Sequence, residues 1–163
     1  MKKKILVFSN GEKIGDGIIK LPLLHEIKKR LPKYDLIWVT NSGSTAYNDK
    51  LKSIADEYIN LIIEKVELNP FFWKKISNKY NFEKSNFEYI FDTQKSVYRT
   101  LGLKRIRCNY FISGCANGFF STIKIRKSNK NRQYYLDDLF DLLNLIKNDM
   151  VDKSFKINIP YLL

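Results

Sequence analysis

A chain of 163 residues with 44% hydrophobic content has the length of one domain and enough apolar residues to bury a core. Its apolar runs fall far short of the ~20 residues that span a bilayer, and the run behind Lys2-Lys3-Lys4 stops at Phe8, too short for the apolar region of a signal peptide. A cytoplasmic protein is therefore expected. Ten of the twelve net positive charges lie between Thr93 and Leu136, a stretch with no Asp or Glu, which points to an anionic partner.

The predicted elements alternate. Residues 4–9 read as a buried strand, followed by the polar loop Ser9-Asn10-Gly11-Glu12-Lys13 and the segment Ile14-Gly15-Asp16-Gly17. A helix is predicted over 17–30, with Ile18, Leu21, Leu24 and Ile27 near one face and Lys28-Lys29-Arg30 at the negative end of its dipole. Pro32 ends it. Residues 35–40 form a second strand, apolar enough to be buried on both faces, and 41–44 a turn. A helix over 47–57, a strand over 60–64 and a short helix over 71–80 follow. Residues 87–92 are the fourth strand, 96–103 a short helix, 108–112 the fifth strand, 113–118 a Gly-containing loop and 137–148 a helix with Leu139, Leu142, Leu143 and Ile146 at helical spacing. This order predicts a single α/β domain over residues 1–163, a Rossmann-like parallel sheet with right-handed crossovers and helices on both faces.

In such a sheet ligands meet the loops that leave the C-terminal ends of the strands, where helix N-termini converge. Two carboxylates fall there. Asp16 stands at the mouth of the first strand-loop-helix unit, and Asp92 begins Asp92-Thr93-Gln94-Lys95-Ser96 after the fourth strand. Each also reads as a helix cap, since Asp is a favoured N-cap residue. Several chemistries are disfavoured. Gly11, Gly15 and Gly17 do not spell G-x-G-x-x-G, and the sequence has no G-x-x-x-x-G-K-[ST] loop and no H-E-x-x-H. Cys108 and Cys115 have no zinc-motif spacing and are read as free thiols, and His25, the one histidine, is read as a helix-face residue. No metal site and no cofactor are expected.

The triplet Ile14-Gly15-Asp16, with Leu21-Pro22-Leu23-Leu24 in the helix behind it, resembles the opening of the heptosyltransferase-type glycosyltransferases, family 9 of the sequence-based classification. Those proteins usually carry Ser-Ser or similar before the triplet. Here Glu12-Lys13 stands in a loop one residue longer. The family's Asp-x-Gln segment after the fourth strand is matched by Asp92 and Gln94, with Ser96 shortly behind. The resemblance covers nearly the whole chain and implies the N-terminal half of a GT-B glycosyltransferase, with the C-terminal donor-binding domain absent. It implies that Asp16 is the general base of an inverting sugar transfer, and that Lys13, Gly15, Asp92, Gln94, Lys95 and Ser96 bind substrate. The implied donor is a nucleotide-activated sugar, ADP-heptose in the type enzymes, bound as substrate. The implied acceptor is the anionic inner core of lipopolysaccharide, reached from the inner face of the inner membrane by a peripheral protein. A separate chain carrying the C-terminal domain is a further implied partner.

The segment from Asn117 to Lys127 mixes Phe119 and Phe120 with Lys124, Arg126 and Lys127. That mixture suits a membrane surface. It also suits single-stranded nucleic acid, the less favoured partner, and a core strand beside a solvated loop. A non-catalytic basic module that binds lipopolysaccharide, membrane or nucleic acid, or an inactive truncated fragment, is the alternative to an enzyme.

Overall fold

The computed structural model describes residues 3–71, 73, 80–82, 85–123, 141, 143 and 144. Five strands form one parallel sheet: β1 (Lys4–Ser9), β2 (Asp35–Thr40), β3 (Leu61–Ile63), β4 (Phe87–Asp92) and β5 (Cys108–Ser113). Their spatial order is β3-β2-β1-β4-β5. The expected Rossmann-like α/β architecture is thus present. The α-helices α1 (Ile14–Arg30), α2 (Lys52–Ala55) and α3 (Val97–Leu103) accompany the strands.

The central strands β1, β2 and β4 are nearly continuous apolar runs because both faces of the sheet are covered there. Alternation along β1 sends Ile5 and Val7 into one core with Leu21, Leu24 and Ile27 of α1, and with Trp38, Tyr47 and Leu51. It sends Leu6 and Phe8 into a second core with Ile37, Val39, Phe87, Leu103 and Phe111. So α1 covers one face and α3 the other.

Three boundaries depart from the sequence reading. First, α1 begins at Ile14 rather than 17, with Lys13 as its N-cap and no side-chain cap bond; Asp16 is therefore in the first turn and is not the cap. Pro22 lies inside this helix, where it cannot donate to the carbonyl of Ile18. Second, the helix expected over 47–57 is a 3₁₀ turn (Ala46–Asn48), capped by Thr45 Oγ1, and then the short α2. The break falls at Asp49, whose φ of −133° and ψ of −106° cannot continue a helix. Third, the loop after β5 holds a 3₁₀ turn (Cys115–Gly118) with left-handed residues at Ala116 and Asn117. Most of the helix expected over 71–80 and most of that over 137–148 lie outside the described residues; of the former, Phe71, Trp73 and Tyr80 are not helical. Of the latter, Asp141, Leu143 and Asn144 are helical, and Leu143 packs into the α1 core.

Among the described residues no helix is long and apolar enough to cross a membrane. Cys108 and Cys115 are free thiols, and His25 sits edge-on to Tyr58 with centroids 5.9 Å apart, a helix-face residue as read.

Candidate active site

The strand order reverses between β1 and β4, which pair in parallel with Phe8 opposite Asp92. The connection leaving β1 runs outward to β2 and β3, while β4 leads the other way to β5. A crevice opens where two such loops part at the C-terminal ends of the strands. Here the loops are 10–13 and 93–96. Thr93 closes the floor between them: its N–H and its hydroxyl both donate to the Phe8 carbonyl, at 3.1 and 2.8 Å.

The β1 side of the crevice is built on Glu12. The sequence reading gave this residue no role, yet it is 4% exposed. Its Oε1 accepts from Lys20 Nζ at 2.8 Å and its Oε2 from Trp38 Nε1 at 3.1 Å. Lys20 is itself buried on α1, with its ammonium 5.8 Å from the centre of the Trp38 ring. A buried charge is tolerated only when paired and hydrogen-bonded, and here the loop, the helix and β2 supply the partners. The backbone of Glu12 is held as well, donating to Ser44 O at 3.2 Å and accepting from Ala46 N at 3.0 Å. Beside it Gly11 has φ +117°, and a Cβ there would come within 2.7 Å of Gly43 Cα, so glycine is required.

This anchoring delivers Lys13, Gly15 and Asp16 to the surface, all three exposed. The first intrahelical bond is Gly17 N to Lys13 O at 2.9 Å, so the N–H groups of residues 14–16 have no partner within the helix. Asp16 in the first turn complements the positive end of the helix dipole. Gly15 has no heavy atom within 4 Å of where a Cβ would stand, while a Cβ on Gly17 would meet Leu51 Cδ1 at 2.7 Å. Gly17 is thus a packing glycine and its carbonyl accepts from Tyr47 Oη at 2.7 Å. Gly15 leaves the helix mouth open.

On the β4 side, Asp92 is 1% exposed and is held by three donors: Thr100 Oγ1 at 2.6 Å, Ser113 Oγ at 2.8 Å and Gln94 N at 2.9 Å. Burial pushes its carboxyl above the ordinary carboxylate range, and the three hydrogen bonds oppose that rise. Asp92 therefore organises the loop, tying it to α3 and β5. Gln94 is half-buried, Lys95 exposed, and Ser96 half-buried as the N-cap of α3 without a side-chain cap bond. Cys115 Sγ lies 3.4 Å from Lys95 O and adds a tie from the β5 loop.

The two candidate segments thus leave the C-terminal ends of neighbouring strands. Lys13, Gly15 and Asp16 follow β1, Gln94, Lys95 and Ser96 follow β4, and Asp92 is buried at the end of β4. Sequence reading missed Glu12, Lys20 and Trp38 on the β1 side, and Thr93, Thr100 and Ser113 on the β4 side. The available chemistry is an exposed carboxylate at a helix mouth, with a lysine on each side to meet anions. Among the described residues no group of three His, Cys, Asp or Glu side chains could hold a metal ion.

No protein-family model matches the chain, and no curated protein matches it. Solved structures do. Escherichia coli heptosyltransferase WaaC with ADP superimposes with a TM-score of 0.59 at 14% identity, covering 94% of this chain and 49% of that one. The same enzyme with ADP-2-deoxy-2-fluoro heptose gives 0.60 at 13% identity, covering 94% and 50%. A glycosyl transferase of family 9 from Veillonella parvula gives 0.56 at 17% identity, covering 90% and 42%. The fold is therefore that found in these glycosyltransferases, and the chain spans about half of their length.

Proposed function

We propose that this chain is the acceptor-side, N-terminal half of a heptosyltransferase-type glycosyltransferase, residues 1–163 forming one Rossmann-like domain. The observation that carries the reading is Asp16. It is an exposed carboxylate in the first turn of α1, at the reversal point of a sheet whose fold is shared with sugar-transfer enzymes.

In the proposed reaction an Asp16 carboxylate oxygen takes the proton of an acceptor hydroxyl. The freed oxygen attacks the anomeric carbon of the sugar, and the bond from that carbon to the nucleoside diphosphate breaks on the opposite side, with inversion. A base next to the attacking hydroxyl typically contributes 10²–10⁴-fold, roughly, to such a step. Lys13 and Lys95 are the cations that meet an acidic sugar or a phosphate of the acceptor. Gly15 lets the acceptor approach the helix mouth. Gln94 and Ser96 line the opposite lip, and Asp92 holds that lip in place. The donor is a nucleotide sugar of the ADP-heptose kind, used as substrate without a metal. The WaaC structures with ADP and with ADP-2-deoxy-2-fluoro heptose support this choice. The acceptor is the inner core of lipopolysaccharide, met by a peripheral protein at the inner face of the inner membrane. A C-terminal domain of the family's kind supplies the main nucleotide contacts.

The test is a sugar-transfer assay with ADP-heptose and a Kdo–lipid A acceptor, run with the chain alone and with a C-terminal donor domain of the family added. Transfer that needs this chain and falls by about 10² or more in Asp16→Asn is the expected result. Acceptor binding without transfer under any pairing would overturn the enzyme reading. It would leave the second reading, a basic binding module, which the acid-free run from Thr93 to Leu136 favours.

A further inference from the structure

Helix α3 carries apolar residues on its outward side as well as its inward one. Its inward side is Thr100, Gly102 and Leu103, all buried. Its outward side should be polar, as in most helices that cover a sheet. Instead Val97, Tyr98 and Leu101 are exposed. At helical spacing these three fall within an arc of about 100°.

The apolar surface continues on both flanks. On one, the chain after β3 docks against α3: a Cβ on Gly102 would come within 3.1 Å of the Asn69 backbone, and Arg105 Nη1 donates to Asn69 O at 3.0 Å. This brings Phe71 to 6.4 Å from the Tyr98 ring and Trp73 to 5.0 Å from Phe71, with Trp73 still 65% exposed. On the other flank, Cys115 is tied to Lys95 and Lys104 Nζ donates to Phe120 O at 3.3 Å. Between them the left-handed residues Ala116, Asn117 and Gly118 turn the chain so that Phe119 stands 82% exposed. Solvent-facing apolar side chains from three separate segments around one short helix exceed the scattered singles of an ordinary surface.

Charge decides the occupant. The cations Lys95, Arg99 and Lys104 belong to α3 and its ends, and the chain from Thr93 to Leu136 has no carboxylate at all. Aromatic rings and aliphatic side chains set among cations match the headgroup layer of an anionic bilayer. There Trp and Tyr sit at the interface, Val, Leu and Phe enter the acyl boundary, and each Lys or Arg meets lipid phosphate. Single-stranded nucleic acid would use the rings and cations but has no use for Val97 and Leu101. A second copy of the chain would bring the same cations face to face.

We infer that α3 with its two aromatic flanks is a docking surface for anionic phospholipid bilayers. The inference deepens the membrane part of the proposed function by giving it a face. Its test uses vesicles that contain no sugar acceptor, so either reading can fail alone.

The whole chain is mixed with phosphatidylcholine vesicles, with and without phosphatidylglycerol, and cosedimentation is measured. Tryptophan fluorescence is recorded in parallel with vesicles carrying brominated acyl chains. Trp38 is fully buried and serves as the unquenched internal reference, so quenching reports Trp73. The expected result is sedimentation only with phosphatidylglycerol, weakening as salt is raised, together with quenching of one tryptophan. Trp73→Ala/Tyr98→Ala should weaken binding about tenfold. Val97→Ser/Leu101→Ser, on the helix alone, should weaken it in the same direction and serves as the second variant if the first does not fold. Neither pair should change transfer to a water-soluble acceptor fragment. Absence of sedimentation with phosphatidylglycerol would overturn the inference. So would undiminished binding in both variants, an unquenched Trp73, a concentration-dependent dimer that shields Trp73, or binding to a single-stranded oligonucleotide with none to vesicles.

Discussion

Lys20→Met tests whether the β1 lip of the crevice is held by its buried ion pair. The substitution keeps most of the side-chain volume and removes the ammonium. Glu12 then stays buried at 4% exposure with one side-chain donor, Trp38 Nε1 at 3.1 Å, in place of two. Removing one partner of a buried pair costs about 3–5 kcal/mol, because the other charge is left without compensation. The surviving indole bond, worth about 1.5–3 kcal/mol as a bond to a charged group, places the expected loss near the lower end, about 3 kcal/mol. In urea, with a slope of about 2 kcal/mol per molar, the midpoint should fall by about 1.5 M. The double variant Glu12→Gln/Lys20→Met removes both charges and leaves an amide oxygen to accept from Trp38. It should recover at least half of the loss, since a buried pair replaced as a unit is close to neutral. Urea titrations of the parent, both single variants and the double variant close the cycle. A Lys20→Met loss below about 1 kcal/mol, or a double variant no better than the single, would refute the argument that the pair anchors this loop.

The other predictions concern neighbouring groups. Gly15→Ala should leave stability unchanged or raise it by up to ~1 kcal/mol, since the position is open and Ala is the better helix former. Gly17→Ala should lower it by about 1–3 kcal/mol through the 2.7 Å contact with Leu51 Cδ1, and thermal melts of the two will separate a site glycine from a packing glycine. Burial raises the folded-state value of Asp92, so the folded protein holds this proton over a pH range where the unfolded chain has lost it. Stability should therefore fall as pH rises from the ordinary carboxylate range through the raised value. That segment of a Tm-against-pH curve should flatten in Asp92→Asn. Cys108, pushed up to about 11 by burial against a smaller opposing effect of Lys104, should react with iodoacetamide at pH 8 about tenfold or more slowly than a free thiol. A Cys115→Ala background makes the rate its own.

What was legible in the sequence followed from period and punctuation. β1, β2 and β4 are apolar runs bounded by polar loops, and their bounds came within a residue. The helix start was misread because Gly15 and Asp16 look like a cap, whereas the backbone turns at Lys13, a residue with no capping chemistry. Leu51 and Ile54 stand at helical spacing, which suggests one helix over 47–57, while the irregular backbone at Asp49 leaves no sequence signal. The candidate site divides in the same way. Lys13 enters only through the family resemblance, whereas Asp16 and Lys95 fall in segments that leave strand ends and could be placed there from topology. Glu12 could not: its partners stand 8 and 26 positions away and become partners only once α1 and β2 have packed. Asp92 lies at the expected edge, but its donors Thr100 and Ser113 stand on α3 and β5, elements with no sequence signal that links them to it.

The meeting of Gly11 with Gly43 has a mechanical meaning. The turn after β2 is stitched to the loop after β1 by Gly43 N to Asn10 O at 2.9 Å, Glu12 N to Ser44 O, and Ala46 N to Glu12 O. Neither segment can swing without dragging the other, so this side of the crevice has no hinge and cannot serve as a lid. Amide exchange of residues 12, 43 and 46 should then be protected as one block, and any closure over a bound ligand must come from the β4 side.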